Sequence, residues 1–330
     1  MQPWNKISIQ ANWRPIDFSP GQQSHLLSAE EQAYSQHYGL DFERQLEDIE
    51  HRFGFLDSGE FTLASHFFRP VNQPSLATVL IVHGYFDHAG LYGHLIDFYL
   101  KRQCSVVIFD LPGHGLSTGE PSEINDFREY SRVLGDLVDF ARGSGSQPLH
   151  IIGQSTGSAI IMEYLLDNNI GEANSPFSGI SLLAPLVRPA EWRKLLFSYR
   201  WLSPLVKSVR RIFMDCSHDE EFLRFLREGD PLQYHRVPTN WVGALIAWEK
   251  QFTSYEKSEL TPVVIQGEED TTIDWQHNLS VIRMKFNRPS ITLLPGARHH
   301  LVNESPAIRE QVFSVLAGCL PRNLPNQSKT

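Results

Sequence analysis

The chain has 330 residues, of which 41% are hydrophobic and 20% charged, a composition that argues against disorder over most of its length. Its formal net charge of −9 argues against a nucleic-acid partner, because phosphate binding needs a basic face. No apolar run is long enough to span a bilayer, and the first residues lack the pattern of a secretory signal. Three scattered cysteines, Cys104, Cys216 and Cys319, indicate reduced thiols and no metal site, so we expect a cytoplasmic protein.

Residues 1–55 precede the first clear strand, include a charged helical pattern over 29–52, and are interpreted as an N-terminal extension. Beyond them, short apolar runs alternate with helical patterns. Strands are predicted at residues 61–68, 78–82, 106–109, 149–152, 180–183, 263–266 and 291–294. Helices are predicted at residues 91–102, 127–142, 158–168, 276–286 and 306–320. This alternation predicts an α/β fold with a mainly parallel sheet flanked by helices.

One long segment interrupts the alternation. Residues 187–256 are rich in aromatic side chains and lack a clear strand pattern. An insertion at this point would lie over the carboxyl ends of the strands, where open α/β sheets bind ligands, so we interpret it as a helical cap. The predicted core is then 56–186 together with 257–320, and residues 321–330 form a C-terminal tail.

The predicted strand 149–152 runs directly into Gly153-Gln154-Ser155-Thr156-Gly157 and then into a helical pattern. A G-x-S-x-G motif between a strand and a helix is typical of a nucleophile elbow. The glycines are needed because side chains on either side of a strained serine would clash with the neighbouring strand or helix. Ser155 is therefore the candidate nucleophile.

A second loop, His83-Gly84-Tyr85, follows the strand at 78–82. Transition states of acyl transfer carry an oxyanion, which two backbone N–H groups can stabilise. One donor is the residue after the nucleophile, here Thr156, and the other comes from an earlier loop, here Tyr85. His83 has no acidic partner in view and is interpreted as a structural residue.

A serine nucleophile needs a base, and the base needs a carboxylate that holds its tautomer. After the strand at 263–266, Asp270 is favoured as the acid because it lies in the loop a few residues past the strand end, with Glu269 as the reserve candidate. After the last strand, His299 and His300 are adjacent, and spacing alone does not choose between them. His114 is better read as part of a glycine-flanked turn.

Several motifs together resemble the monoacylglycerol lipase and lysophospholipase branch of the α/β-hydrolases, which is often grouped with serine aminopeptidase-like hydrolases. They are HGYFDHAGLY, FDLPGHGLSTG, GQSTGS, the DPL at residues 230–232, QGEEDTTID and LPGARHHLVNES, over roughly residues 60–318. The resemblance implies the α/β-hydrolase fold, a triad of Ser155, Asp270 and His299, the oxyanion donors Tyr85 and Thr156, and acyl transfer to the serine without a cofactor. Asp87 departs from the glutamate usual in the first motif, and His300 stands where an acidic residue is common.

The cap suggests a lipid ester as substrate. Its aromatic residues suit an acyl chain, although aromatics at helical spacing also pack as cap core. A basic, amphipathic stretch over residues 188–211 suits an anionic membrane surface or a phosphate head group, or is simply a solvated basic face. Candidate substrate contacts are Trp192, Trp201, Arg210 and Arg211.

Three other functions stay open from the sequence. An aminopeptidase-like or small-ester hydrolase would use the same triad, and an aminopeptidase could hold a free amine with Asp219, Glu220 or Glu221 of the cap. Transfer of the acyl group to an acceptor other than water would need the same residues. A binding module without catalysis would usually lack one member of the triad, and here all three positions are filled.

Overall fold

The computed structural model describes residues 4–17, 26–143 and 148–320, so the predicted tail at 321–330 lies outside the described residues. The strands are β1 (Ile49–Ser58), β2 (Phe61–Pro70), β3 (Thr78–Val82), β4 (Ser105–Phe109), β5 (Leu149–Gln154), β6 (Gly179–Leu183), β7 (Ser208–Arg210), β8 (Arg236–Pro238), β9 (Val263–Gly267) and β10 (Ser290–Leu294). Within the described ranges, eight of them form one sheet in the order β1-β2-β4-β3-β5-β6-β9-β10.

Strands β3, β4, β5, β6, β9 and β10 pair in parallel, whereas β2 is antiparallel to both β1 and β4. The central strands β3, β4 and β5 are buried along their whole length, because helices cover both faces of the sheet. These strands are therefore continuous hydrophobic runs without polar alternation, which is why they could be predicted from the sequence. The predicted mainly parallel sheet flanked by helices is confirmed.

The helices are α1 (Lys6–Ala11), α2 (Ala29–His37), α3 (Phe42–Gln45), α4 (Gly93–Leu100), α5 (Phe127–Gly143), α6 (Thr156–Asp167), α7 (Trp192–Leu202), α8 (Glu220–Arg224), α9 (Thr239–Ser254), α10 (Trp275–Lys285) and α11 (Pro306–Ala317). Single turns of 3-10 helix lie at Ala89–Tyr92 and Leu301–Asn303, and a π turn lies at Phe225–Gly229. The five helices predicted for the core are all present, with ends that differ from the predicted ends by a few residues at most.

The helical pattern predicted over 29–52 is wrong in its second half. It contains α2 and α3, and then β1 begins at Ile49. β1 pairs with β2 from Ile49 opposite Pro70 to Ser58 opposite Phe61, so the boundary drawn at residue 55 falls inside this strand. The strand was not predicted because it contains buried polar residues. His51, for example, is buried, and its ring stacks on that of Phe68 in β2 with the centroids 4.2 Å apart. The polar residues that were predicted to lie on an exposed helix surface belong instead to β1, where β2 and the N-terminal helices cover them.

The segment interpreted as a cap contains α7, α8 and α9, and also a feature that the sequence did not predict. β7 and β8 form a short antiparallel ribbon, in which Val209 lies opposite Val237. α9 is the anchored cap helix: Trp248 is buried and stacks on Phe127 of α5 at 5.0 Å. α7, in contrast, has no buried residue among those the structure describes. No helix in the described ranges is long and apolar enough to cross a membrane.

Candidate active site

Ser155 stands in the turn between β5 and α6 with φ 54° and ψ −111°, a strained conformation for a residue with a side chain. Its backbone N–H donates to the Leu183 carbonyl at 2.8 Å, which holds the turn against β6. Gly157 allows the turn to fit, because a Cβ there would lie 2.0 Å from the carbonyl oxygen of Val82. The serine side chain is thereby presented at the amino end of α6, where the helix dipole favours negative charge.

The structure brings Ser155, His299 and Asp270 into one chain of hydrogen bonds. The Ser155 hydroxyl donates to Nε2 of His299 at 2.9 Å. The other ring nitrogen, Nδ1, donates to Oδ2 of Asp270 at 2.7 Å. The three residues come from loops after β5, β10 and β9, and all three are buried. A base between a hydroxyl and a carboxylate is the arrangement that activates a serine.

The carboxylate of Asp270 is well supported. Its Oδ1 accepts hydrogen bonds from the backbone N–H groups of Thr272 at 2.8 Å and Ile273 at 3.2 Å, and its Oδ2 also accepts from Gln266 at 3.1 Å. Burial raises the pKa of Asp270, but His299 and these donors outweigh burial, so the pKa lies below its usual value. Asp270 is therefore ionised at neutral pH. Glu269 is exposed and lies beside His218, with 3.7 Å between Oε2 and Nε2.

His300 points elsewhere than His299, even though the two are adjacent. Its Nε2 lies 3.2 Å from Oδ2 of Asp87, and its ring packs against Phe222 at 4.8 Å. His83 has a structural position: its Nε2 accepts from the Leu111 N–H at 2.8 Å and its Nδ1 donates to the Gly84 carbonyl at 2.7 Å.

Burial lowers the pKa of His83 to about 3, so its ring is neutral. His114 is likewise buried, with a pKa of about 4, and its Nδ1 donates to the Pro112 carbonyl at 2.9 Å.

Tyr85 and Thr156 both line the cavity into which Ser155 opens. Thr156 is the first residue of α6, where a backbone N–H has no acceptor in the preceding helical turn. The Tyr85 side chain is fixed by a hydrogen bond from its hydroxyl to the Ser122 carbonyl at 2.7 Å. Behind it, the Gly84 N–H donates to the Tyr92 hydroxyl at 2.9 Å, which anchors the loop.

The cavity measures about 330 Å³, and Ser155 and His299 lie in its wall. Most of the wall is apolar. Its aliphatic and aromatic residues include Leu186, Leu195, Leu223, Leu226, Trp241 and Leu245. This size is at the small end of ligand pockets, and the lining suits one hydrocarbon chain.

Of the four cap residues predicted as substrate contacts, only Arg211 lines this cavity. Trp201 and Arg210 do not, because both side chains are exposed at the surface, Trp201 to 62%. Trp192 does not either: it is partly buried against the core, with the Arg188 guanidinium 5.6 Å from its ring, although Leu195 of the same helix reaches the cavity. Trp241, another tryptophan of the cap, was not predicted as a substrate contact but does line the cavity. A signal was available, since Trp241, Leu245, Trp248 and their neighbours follow helical spacing along the buried face of α9.

The acidic residues considered for an aminopeptidase lie outside the cavity wall. Asp219 and Glu221 line a separate groove beside α4, and Asp219 caps α8 by accepting from the Phe222 N–H at 2.9 Å. Glu220 is exposed on α8. In the part of the chain that the structure describes, no group of three or more His, Cys, Asp or Glu side chains is arranged to hold a metal ion.

Comparison with known proteins agrees with this architecture. The family model described as serine aminopeptidase, S33, matches residues 73–306. The chain is 24% identical to a monoglyceride lipase homolog of Monkeypox virus over 75% of this chain and 90% of the relative. It is 25% identical to phospholipase YtpA of Bacillus subtilis over 72% of this chain and 92% of the relative.

Solved structures share the fold. A monoglyceride lipase from Saccharomyces cerevisiae superimposes with a TM-score of 0.68 at 17% identity, covering 81% of this chain and 94% of that one. A monoacylglycerol lipase from Paleococcus ferrophilus does so with a TM-score of 0.65 at 17% identity, covering 79% and 98%. The predicted α/β-hydrolase fold is thus confirmed. The chain belongs to the serine aminopeptidase S33 family and, with these relatives, to the monoglyceride lipase-like branch of the α/β-hydrolases.

Proposed function

We propose that this chain is a serine hydrolase that cleaves carboxylic esters of single-chain lipids, as a lysophospholipase or a monoacylglycerol lipase does. The observation that carries the proposal is the hydrogen-bonded chain from Ser155 through His299 to Asp270, placed in the wall of an apolar cavity. A nucleophile, a base and an orienting carboxylate are the groups that acyl transfer needs. The relatives named monoglyceride lipase homolog and phospholipase support a lipid ester as substrate.

In the first half of the reaction, the Ser155 oxygen forms a bond to the carbonyl carbon of the ester while its proton passes to Nε2 of His299. The carbonyl oxygen becomes an oxyanion, to which the backbone N–H groups of Tyr85 and Thr156 donate. The bond between the carbonyl carbon and the alcohol oxygen then breaks, and His299 gives its proton to that oxygen. Asp270 remains ionised and stabilises the imidazolium.

In the second half, water enters from the cavity and loses a proton to His299 as its oxygen bonds to the acyl carbon. The bond to the Ser155 oxygen breaks, and the same proton returns to the serine. The products are a fatty acid and free enzyme. Every proton that leaves one group is accepted by His299, Ser155 or the leaving alcohol, so these steps need no cofactor.

An ester is favoured over a peptide with a free amine. An aminopeptidase site needs a carboxylate placed to hold the substrate amine, and the candidates Asp219, Glu220 and Glu221 lie outside the cavity. Asp87 does line it, but Oδ2 of Asp87 accepts a hydrogen bond from Tyr92 and faces His300. The rest of the wall suits a hydrocarbon chain.

The test measures fatty-acid release from a monoacylglycerol and a lysophospholipid of the same acyl chain, with Ser155→Ala as the blank. We expect release by the wild type, none by Ser155→Ala, and unchanged release by Ser280→Ala, which removes an exposed hydroxyl from α10. A fluorophosphonate should add one covalent label to the wild type and none to Ser155→Ala, read by intact mass. Release by a folded Ser155→Ala protein would overturn the proposal.

We further propose that the outer face of α7 contacts an anionic lipid surface. Phe197 and Trp201 are 68% and 62% exposed on this helix, and Arg193 and Arg200 are exposed beside them. Because the chain is acidic overall, a basic face with exposed aromatic rings is a local exception that suits anionic membranes.

Co-sedimentation tests this contact. The double variant Phe197→Ser with Trp201→Ser should lose binding to phosphatidylglycerol vesicles, whereas Arg283→Gln, an exposed charge on α10, should keep it. Equal binding of both variants would refute a role for α7.

A further inference from the structure

Two arginines line the cavity that contains Ser155, and they differ in their partners. Arg227 forms an ion pair with Asp215. Arg211 has no carboxylate within 4.0 Å among the residues that the structure describes. Burial lowers the pKa of the Arg211 guanidinium, an effect that the negative charge of Asp87 opposes, and a guanidinium stays protonated in any case. A guanidinium without an ion-pair contact is thus held in the wall of a mainly apolar cavity, and the Asp87 carboxylate lies in the same wall.

The Arg211 side chain is held firmly in place. Its guanidinium carbon lies 4.0 Å from the ring centroid of Phe86 and 4.4 Å from that of Phe213. Its Nη1 donates to Oε1 of Gln233 at 2.6 Å and to the Tyr234 carbonyl at 3.4 Å. Two rings and two acceptors therefore fix the plane of the guanidinium before any ligand binds.

Gln233 is fixed in turn. Its amide nitrogen donates to the Phe86 carbonyl at 3.1 Å and to Oδ2 of Asp230 at 2.9 Å. Asp230 also accepts from the Tyr38 hydroxyl at 2.7 Å and lies 3.0 Å from Nε2 of His88. It makes no ion pair with Arg211, but its charge acts at longer range to raise the pKa of Arg211. Tyr38, the residue after α2, is thus linked through Asp230 and Gln233 to a cation in the cavity wall.

Three N–H groups of Arg211, on Nε and Nη2, have no acceptor among the described residues. A planar guanidinium with an unused edge matches the oxygens of a phosphate, to which it can donate two parallel hydrogen bonds. The ring that stacks on Arg211 belongs to Phe86, the residue after the proposed oxyanion donor Tyr85. A substrate phosphate bound to Arg211 would therefore lie near the loop whose Tyr85 N–H is proposed to bind the oxygen of the reacting carbonyl.

From this arrangement we propose that Arg211 forms an anion-binding subsite that takes the phosphate of a lysophospholipid, and that the enzyme consequently prefers phosphate-bearing single-chain esters to neutral ones. This inference rests on the proposed esterase function. The acyl chain lies against the apolar wall of the cavity. The glycerol phosphate, which is the leaving alcohol, lies between Ser155 and Arg211. A net attraction requires the ionised phosphate, whether as a monoester or a diester.

The test compares kcat/KM for three monomeric octanoyl esters: lysophosphatidic acid, lysophosphatidylglycerol and monooctanoylglycerol. The two phosphates separate the monoester from the diester. In Arg211→Gln, the kcat/KM ratio of phosphate ester to neutral ester should fall roughly 10- to 100-fold, the range for a lost hydrogen bond to a charged group. Arg211→Lys should retain part of the preference. Arg236→Gln, an exposed arginine of the same ribbon outside the cavity wall, should retain all of it.

An unchanged ratio in Arg211→Gln, with normal turnover of monooctanoylglycerol, would overturn the subsite and leave the esterase proposal standing. Failure of the wild type to release octanoate from all three esters would instead overturn the esterase proposal. A binding measurement guards against loss of folding in Arg211→Gln. Calorimetry on Ser155→Ala should show tighter binding of decyl phosphate than of decanol, with an advantage that shrinks as salt rises. Equal or weaker binding of decyl phosphate would overturn the subsite.

Discussion

The ring of Tyr85 lies nearly parallel to the indole of Trp241, with ring centroids 3.7 Å apart and planes inclined by 15°. Tyr85 belongs to the loop after β3, and Trp241 belongs to α9 of the cap. Contact of this kind links the position of the cap to the loop that carries a proposed oxyanion donor. Trp241 lines the cavity wall, and we expect it to act also as a positioning residue for this loop.

Trp241→Ala should therefore lower kcat on a short, soluble ester, which does not need the acyl-chain wall. We expect roughly a tenfold loss, less than the 100-fold or greater loss on removing an oxyanion donor, because the N–H is displaced and not deleted. Trp241→Phe keeps a stacking ring and should restore most of the rate. A change in KM alone would indicate that Trp241 only lines the cavity.

Asp270→Asn should lower kcat by about 10⁴-fold, because an amide at this position favours the wrong tautomer of His299. Glu269→Gln is the matched control, since it makes the same chemical change at the neighbouring, exposed carboxylate. Ester hydrolysis by both variants, with their melting temperatures, checks this. Comparable losses in the two variants would contradict the assignment of the acid to Asp270.

The two adjacent histidines should separate in the same assay. His299→Ala removes the base and should abolish measurable hydrolysis, whereas His300→Ala leaves the contact of His299 with Ser155 intact. We expect His300→Ala to keep at least a tenth of the activity and to lose some stability, because His300 packs against Phe222 and lies beside Asp87. Full inactivation of a folded His300→Ala protein would contradict this division of roles.

Glu163 of α6 should make stability depend on pH. It is buried, accepts from Nε1 of Trp248 at 2.9 Å and from the Tyr255 hydroxyl at 3.0 Å, and has a pKa raised to about 7, mainly by burial and also by Asp167. The folded state therefore keeps a proton that the unfolded state releases above its ordinary pKa of 4.5. This stabilisation is complete below that value and is lost as pH rises through 7.

The glutamine of Glu163→Gln stays neutral at every pH, so this variant should not lose stability in the same pH range. Its melting temperature relative to the wild type should rise between pH 5 and pH 8, with a difference in unfolding free energy of up to about 3 kcal/mol. Glu172→Gln, at an exposed position, should show no such trend. A melting-temperature difference that stays constant across this range would show that Glu163 does not titrate in it.

The sequence predicted those parts of the fold in which local pattern and burial agree. Strands buried on both faces read as apolar runs, and the elbow at Ser155 needs its glycines within a few residues of the serine. β1 was not predicted because His51 and Arg52, whose side chains leave opposite faces of the strand, are both buried, and that burial depends on partners far along the chain.

The alternation of strands and helices could be predicted from local sequence pattern, as could the loops from which the candidate nucleophile, acid and base come. Only the tertiary structure chose between neighbours: His299 contacts Ser155 and His300 does not, and Arg211 lines the cavity while Arg210 faces outward. Such a choice depends on the direction in which a side chain leaves a loop or strand, and residues distant in sequence determine that direction. The local pattern of apolar and polar residues therefore cannot predict those distant contacts.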